Sequence, residues 1–289
     1  MSNLTWPAPA KLNLFLHIVG RREDGYHDLQ TVFQFIDLED RLTFTPRNDG
    51  AVRRVSAHPQ VDAAGDLTLR AAQLLKSHTG TTAGVDIVLD KRIPVGGGLG
   101  GGSSDAATTL LALNRLWDLG LDDDALAALG LALGADVPVF VRGRAAFAEG
   151  VGERLEPIEL DTPWYAIVHP GCSVSTARVF SDPALTRDST PLRIRDLAPP
   201  GGETLAAHTL LEVARNDCEP VARALYPQVD AAFRWLAGRG AARMTGTGAC
   251  IFAPFETHDA AHDALRALPA EWQGFVARGM NRSTVLSLV

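Results

Sequence analysis

The 289-residue chain is 46% hydrophobic and 21% charged, a globular composition that excludes wholesale disorder. Its 27 Lys and Arg stand against 34 Asp and Glu, a net charge of −7. That balance argues against a general nucleic-acid or anionic-membrane binder, which needs a basic excess, and leaves room only for a local basic pocket around a small phosphorylated ligand.

From the N-terminus, KLNLFLHIV (11–19) alternates. Leu12, Leu14, Leu16 and Ile18 share one face of a strand, and Lys11 and Asn13 share the other. The start lacks a basic segment ahead of its apolar stretch, so it reads as a first strand and not as a signal peptide. Asp24-Gly25 signals a turn within 21–25, and strands follow at 29–38 and 41–46. An amphipathic helix fits 66–78 with Asp66 as N-cap, and the strand at 85–95 is stopped by Pro94. A glycine tract then leads into a long helix that ends near 120. A second helix fits 122–134, followed by the short segment 134–140. A turn-rich hairpin over 143–160 marks a boundary between 1–158 and 159–289. Beyond it come a strand at 162–171, a surface loop over 181–204, helices at 205–214 and 219–237, and two short strands around Gly246-Thr247-Gly248. A helix at 258–268 and a segment at 271–281 that ends in a strand complete the chain. The mixture shows no regular βα alternation, which places it in the α+β class.

No apolar run approaches the ~18 residues that span a bilayer. Cys172, Cys218 and Cys250 are odd in number and form no CxxC pair, so they read as small core fillers in a reducing compartment. A cytoplasmic protein is expected.

The glycine tract is the most informative segment. Gly96, Gly97, Gly98, Gly100, Gly101 and Gly102 carry a high entropic cost, justified where backbone must approach something closely. Backbone N–H groups feeding a helix N-terminus form a phosphate cradle. A Walker A loop fails, because Gly102 stands where the lysine is required, and GxGxxG is met only as any glycine tract meets it. Ser103 is followed by Ser104-Asp105, so a GxSxG nucleophile elbow is absent.

The tract resembles the phosphate loop of the GHMP kinases, which hold ATP phosphates under a helix dipole without a Walker lysine. Four segments appear in order: 7–34, KRIPVGGGLGGGSSDAA (91–107), LGADVPVFV (133–141) and MTGTGACIFA (244–253). Together they are similar to the branch of that family whose alcohol substrate carries a cytidine diphosphate, and the likeness spans nearly the whole chain. The resemblance implies a two-domain α+β kinase. Its N-terminal half would be like the second domain of ribosomal protein S5 and its C-terminal half ferredoxin-like, with the active site in the cleft between them. It also implies ATP as co-substrate, with Mg2+.

Residue by residue, Asp136 reads from sequence alone equally as a catalytic base or as a turn cap, and the resemblance makes it the base. Lys11 reads as a solvated strand residue, or as the ammonium that favours the alkoxide and offsets phosphoryl charge; the resemblance pairs it with Asp136. Asn13 shares its face and would orient a substrate hydroxyl. Pro94, Val95 and Leu99, with the six glycines, Ser103 and Ser104, form the expected triphosphate loop. The two serines offer hydroxyls to phosphate or magnesium; Asp105 is not taken as a metal ligand, and no metal cage is legible. Tyr26 and His27 suit a cytidine, with Phe180 on the opposite face of the base, although Phe180 reads equally as core. Gly246, Thr247 and Gly248 would line the phosphates or simply form a turn. Adenine recognition by Asp66 is left open, and His17 and His169 read as structural.

A plain tight hairpin at 21–25 would leave Tyr26 roughly 25 Å from Lys11 at ~3.3 Å per residue. Residues 20–28 are therefore expected to fold back as a wide loop over the site. Rival readings are a GHMP kinase for homoserine or a mevalonate derivative, and a non-catalytic nucleotide sensor. Monomer and homodimer fit the charge equally, with no nucleic acid or membrane as partner.

Overall fold

The computed structural model describes residues 4–23, 25–56, 65–193 and 204–289. The alternation near the N-terminus produces a long antiparallel pair, β1 (Thr5–Arg21) and β2 (His27–Arg47), in register from Thr5↔Thr43 to Arg21↔His27. The two strands expected at 29–38 and 41–46 are thus one. A register shift between Pro9 and Ala10, opposite Glu39 and Ile36, carries β2 past Asp37 and Leu38 without ending it. Such a bulge absorbs extra residues and bends the strand.

β2 organises the sheet, which has ten strands among the described residues. Different stretches of it pair with β1, with β4 (Gly84–Asp90), with β5 (Ala146–Gly150) and with β10 (Gln273–Met280). The path runs β3-β4-β2-β10-β7-β9-β8, where β3 is Val52–Arg54, β7 Trp164–His169, β8 Arg243–Met244 and β9 Ile251–Phe255. The expected hairpin at 143–160 is β5 with β6 (Arg154–Pro157).

Three buried clusters hold the elements together. The first sets α1 (Leu67–Thr79), α2 (Gly101–Leu116), α3 (Asp123–Leu131) and α4 (Val137–Arg142) against β1, β2 and β4. Every residue of α2 from Ser104 to Leu113 is buried, as a central helix requires. A second cluster joins β1 and β2 to β7 and to α6 (Ala207–Val213). The third packs α5 (Thr176–Ser181), α7 (Glu219–Leu225), α8 (Pro227–Ala237) and α9 (His258–Ala264) on β7 and β9. β10 crosses between the halves. It pairs with β7 through Gln273–Arg278 and with β2 through Gly279 and Met280. The chain then returns to the first cluster, where Val285 is buried.

Several boundaries differ from the sequence reading, each for a local reason. The strand expected to Pro94 ends at Asp90 because the Asp40 carboxylate takes the N–H groups of Arg92 and Ile93 at 2.5 and 2.8 Å. The expected helix at 219–237 is two, parted at Pro227, which cannot supply the N–H an unbroken helix needs. Residues 134–140 contain the start of a helix, α4. Ser175 caps α5 by accepting from Arg178 N, so the STARVF segment is helical. Asp66 and Asp122 are side-chain N-caps of α1 and α3. Of the expected loop, 182–193 hold no helix or strand, and 194–203 lie outside the described residues, as does Asp24 of the turn signal. No helix among the described residues is long and apolar enough to cross a membrane.

Candidate active site

The glycine loop is wedged between β1 and the turn after β8. Gly98 has φ +75°, and a Cβ there would lie 2.4 Å from Thr245 O. Gly100, the N-cap of α2, has φ +73°, and a Cβ would meet Phe140 Cζ at 2.7 Å and Lys11 Cε at 3.1 Å. Only glycine satisfies both the conformation and the approach. Stitching fixes the loop: Lys11 N donates to Leu99 O at 3.0 Å, Ala249 N to Gly96 O at 3.2 Å and Cys250 N to Gly97 O at 3.0 Å. The N–H groups of the first α2 turn have no intrahelical acceptor and carry the positive end of the helix dipole.

Gly96, Gly98, Gly100, Gly101, Gly102 and Ser103 line a cleft of about 440 Å³. The rest of the expected phosphate loop does not. Pro94 and Val95 fall outside the lining, Leu99 is buried, and Gly97 faces Cys250 Sγ and His169. The Ser104 hydroxyl is turned away, donating to Pro9 O at 2.7 Å in a buried position. The expectation that it serves phosphate or magnesium is corrected, and Ser103 is left as the hydroxyl at the loop.

Lys11 and Asp136 meet in this cleft. The ammonium lies 3.3 Å from Asp136 Oδ2, 2.5 Å from Asn13 Oδ1 and 3.0 Å from Gly98 O. These occupy its three donors, and the Phe33 ring lies beneath at 5.5 Å. Asp136 sits at the N-cap of α4, yet its side chain makes no capping hydrogen bond. The capping alternative therefore drops out, and the carboxylate faces the cleft. Asn13 lines the cleft beside them; its Oδ1 holds Lys11 and its Nδ2 donates to Thr31 Oγ1 at 2.9 Å, so it orients the ammonium.

The Gly246-Thr247-Gly248 turn is both a turn and a wall. Gly246 and Thr247 line the cleft, and Thr247 Oγ1 lies 2.9 Å from Thr176 Oγ1. Gly248 is behind them, against Met244.

The cleft continues into a second pocket of about 460 Å³ lined by Tyr26, His27 and Phe180. Leu29, Ala135, Val151, Thr176 and Phe180 belong to both walls. The His27 and Phe180 rings are 5.1 Å apart and tilted by 31°, while Tyr26 is 65% exposed. The expected wide loop at 20–28 does not form. Pairing persists to Arg21↔His27, and Arg22 N donates to Tyr26 O at 2.8 Å across a short connection. Register shifts between Asn13 and Leu16 and between Ile18 and Gly20 bend the hairpin instead.

Thr245, inside the 244–253 segment, and Asn216 hold contacts for which the sequence gives no role. Thr245 Oγ1 accepts from Asn13 N at 3.0 Å and donates to Gly98 O at 3.2 Å, joining both halves of the site. Asn216 Nδ2 holds the glycine turn through Met244 O and Gly246 O at 2.8 and 2.7 Å. Beneath α2, Lys91 is clamped between Asp40 at 2.5 Å and Asp105 at 2.7 Å. Burial drives the Asp105 carboxyl far above its ordinary range, with Lys91 opposing and Asp40 reinforcing. Asp66 is consumed by its cap and by Arg54 at 3.0 Å. His17 accepts from Arg215 N at 3.3 Å, and His169 is buried behind Gly97. The three cysteines are free thiols; burial pushes Cys218 up to about 12 and Cys250 higher still. No group of three or more His, Cys, Asp or Glu among the described residues is arranged to hold a metal.

Residues 66–144 match the profile of the GHMP kinases N terminal domain, and residues 203–274 match that of the GHMP kinases C terminal domain. A 4-diphosphocytidyl-2-C-methyl-D-erythritol kinase of Alkalilimnicola ehrlichii is 59% identical, over 97% of this chain and 92% of that protein. One of Pseudomonas paraeruginosa is 56% identical, over 97% and 95%. A crystal structure of 4-(cytidine 5'-diphospho)-2C-methyl-D-erythritol kinase superposes with a TM-score of 0.80 at 36% identity, covering 96% of this chain and 99% of that one. Mevalonate kinase from Methanococcus jannaschii shares the fold, with a TM-score of 0.68 at 16% identity over 97% of this chain and 99% of its own. The chain therefore has the α+β GHMP kinase fold and belongs, within the GHMP kinases, to the family of 4-diphosphocytidyl-2-C-methyl-D-erythritol kinases.

Proposed function

We propose that the protein transfers the γ-phosphoryl group of ATP to the 2-hydroxyl of 4-diphosphocytidyl-2-C-methyl-D-erythritol, a step in isoprenoid precursor synthesis that does not pass through mevalonate. One observation carries this reading: the Lys11–Asp136 pair beside the glycine loop opens without interruption into a pocket walled by Tyr26, His27 and Phe180.

Phosphoryl transfer asks the protein for positioning and charge stabilisation, with an acceptor for the hydroxyl proton. The α2 N-terminus and loop amides hold the triphosphate. Asp136 takes the hydroxyl proton as general base. Lys11, fixed by Asn13 and Gly98, faces the developing alkoxide and the moving phosphoryl charge. The aromatic pocket holds the base, with stacking worth about 1–3 kcal/mol.

Magnesium would enter with the nucleotide, carried mainly by phosphates and water, with the Ser103 hydroxyl and the Asp136 carboxylate among the oxygen groups lining the cleft; bound there, it would neutralise phosphate charge. Tyr26, His27 and Phe180 weigh against a homoserine or mevalonate kinase, since small acyclic alcohols need no aromatic wall. A pure nucleotide sensor has no use for Lys11 and Asp136.

We place the domain boundary at 158/159, just after β6, and the protein in the cytoplasm as a monomer or homodimer. Phosphorus NMR of a reaction with magnesium-ATP tests the chemistry. A new phosphomonoester on the 2-carbon, with the diphosphate intact, is expected; a phosphate on another hydroxyl would overturn the stated regiochemistry.

A further inference from the structure

Arg187 belongs to no motif and lies outside the pocket lining, yet it touches both of its walls. Its Nε donates to His27 Nε2 at 3.2 Å. One Nη donates to Phe180 O and Asp182 O at 2.9 and 2.8 Å, and the other to Leu185 O at 2.9 Å. Four of the five guanidinium N–H donors are thus committed to a single task. They bind the C-terminal end of α5, which carries Phe180, to the first residue of β2.

The bond to His27 has a chemical consequence. A guanidinium only donates, so His27 Nε2 must accept and carries no proton. In neutral imidazole the proton then resides on Nδ1. We propose that Arg187 is a positioning residue that locks His27 as the neutral Nδ1–H tautomer and clamps it to the Phe180 segment, so that the pocket presents a ring donor. A donor there suits an acceptor on the base, such as the unprotonated ring nitrogen or the ring carbonyl of cytosine. The substrate part of this inference rests on the cytidyl reading; the tautomer part does not.

The electrostatic setting agrees. Burial first, then Arg187, then Arg21 hold the His27 ring below its ordinary pKa. Arg21 pairs with His27 across β1–β2. The neighbouring carboxylate, Asp28, is taken by Arg22 at 2.8 Å, and the Phe180 ring covers His27 from α5.

Two experiments test the proposal. Two-bond nitrogen–proton correlation on the full chain reads the tautomer with no substrate present. Protonation at Nδ1 is expected near neutral pH, and a proton on Nε2 would overturn the lock. Steady-state kinetics then compare wild type, Arg187→Met and Arg187→Lys. Arg187→Met should raise KM for the cytidyl alcohol about tenfold or more and leave KM for ATP and kcat within about twofold. It should also move the acid limb of kcat/KM for the alcohol to higher pH, because loss of a neighbouring cation makes His27 easier to protonate. Arg187→Lys keeps the charge and should hold the acid limb in place. An Arg187→Met variant that folds and raises KM with an unmoved acid limb would reduce Arg187 to a loop strut and contradict the proposal. A correct tautomer alongside no turnover of the cytidyl alcohol would instead remove the substrate assignment alone.

Discussion

The ammonium of Lys11 and the carboxylate of Asp136 stand 3.3 Å apart but differ sharply in exposure, 3% against 33%. The lysine is held from below by Asn13 and Gly98, whereas the aspartate keeps a free face toward the cleft. That asymmetry divides the work: a fixed cation and an accessible proton acceptor.

Asp136→Asn should lower kcat by about 10²–10⁴, the range for loss of a general base, with both KM values within about threefold. The isostere keeps the geometry and removes only basicity. Steady-state kinetics decide the matter, and near-normal kcat would remove Asp136 as the base.

Lys11→Met should also lower kcat by about 10²–10³, and the double variant should lose far less than the product of the two losses. Groups that act as a unit are not additive. A multiplicative double variant would mean that the two residues serve separate steps.

Gly98→Ala puts a Cβ 2.4 Å from Thr245 O at a positive φ. Strain of about 1–3 kcal/mol is expected, with a raised KM for ATP. Thr245→Val removes the hydroxyl shared by Asn13 N and Gly98 O and should raise the same KM more gently. Thermal melting together with ATP titration separates loss of fold from loss of the cradle.

Asp105→Asn tests the buried clamp. Folded Asp105 holds its proton well above the unfolded value of ~3.9, because burial outweighs Lys91. The native state thus binds more protons than the unfolded chain, and this stabilisation fades as pH rises through the raised pKa. Asparagine still accepts from Lys91 and does not titrate. Its Tm relative to wild type should rise between pH 5 and pH 9; a difference that is flat or runs the other way contradicts the assignment.

Much of this was legible in the chain. The alternation at 11–19 put Lys11 and Asn13 on one face, Asp66 announced its helix, and the glycine tract led into α2. The hidden parts depend on contacts distant in sequence. Thr245 reaches Asn13 across 232 positions and Arg187 reaches His27 across 160, and neither pairing has a local signature. The bulges of β1 have no local signature either, and they bring the hairpin end round without the wide loop that spacing alone predicts. Ser104 looked like a free hydroxyl because the carbonyl of Pro9 lies 95 positions away. The break at Pro227 is local, since proline lacks the N–H that a continuous helix needs.

The central claim is that one cleft joins a phosphate-transfer pair to a cytidine pocket. A coupled ADP-release assay with magnesium-ATP tests it most directly, comparing 4-diphosphocytidyl-2-C-methyl-D-erythritol with homoserine and mevalonate. ADP release with the cytidyl alcohol alone is the predicted result. Equal or greater turnover of homoserine or mevalonate would contradict it, and ATP binding without turnover of any alcohol would leave a nucleotide sensor in its place.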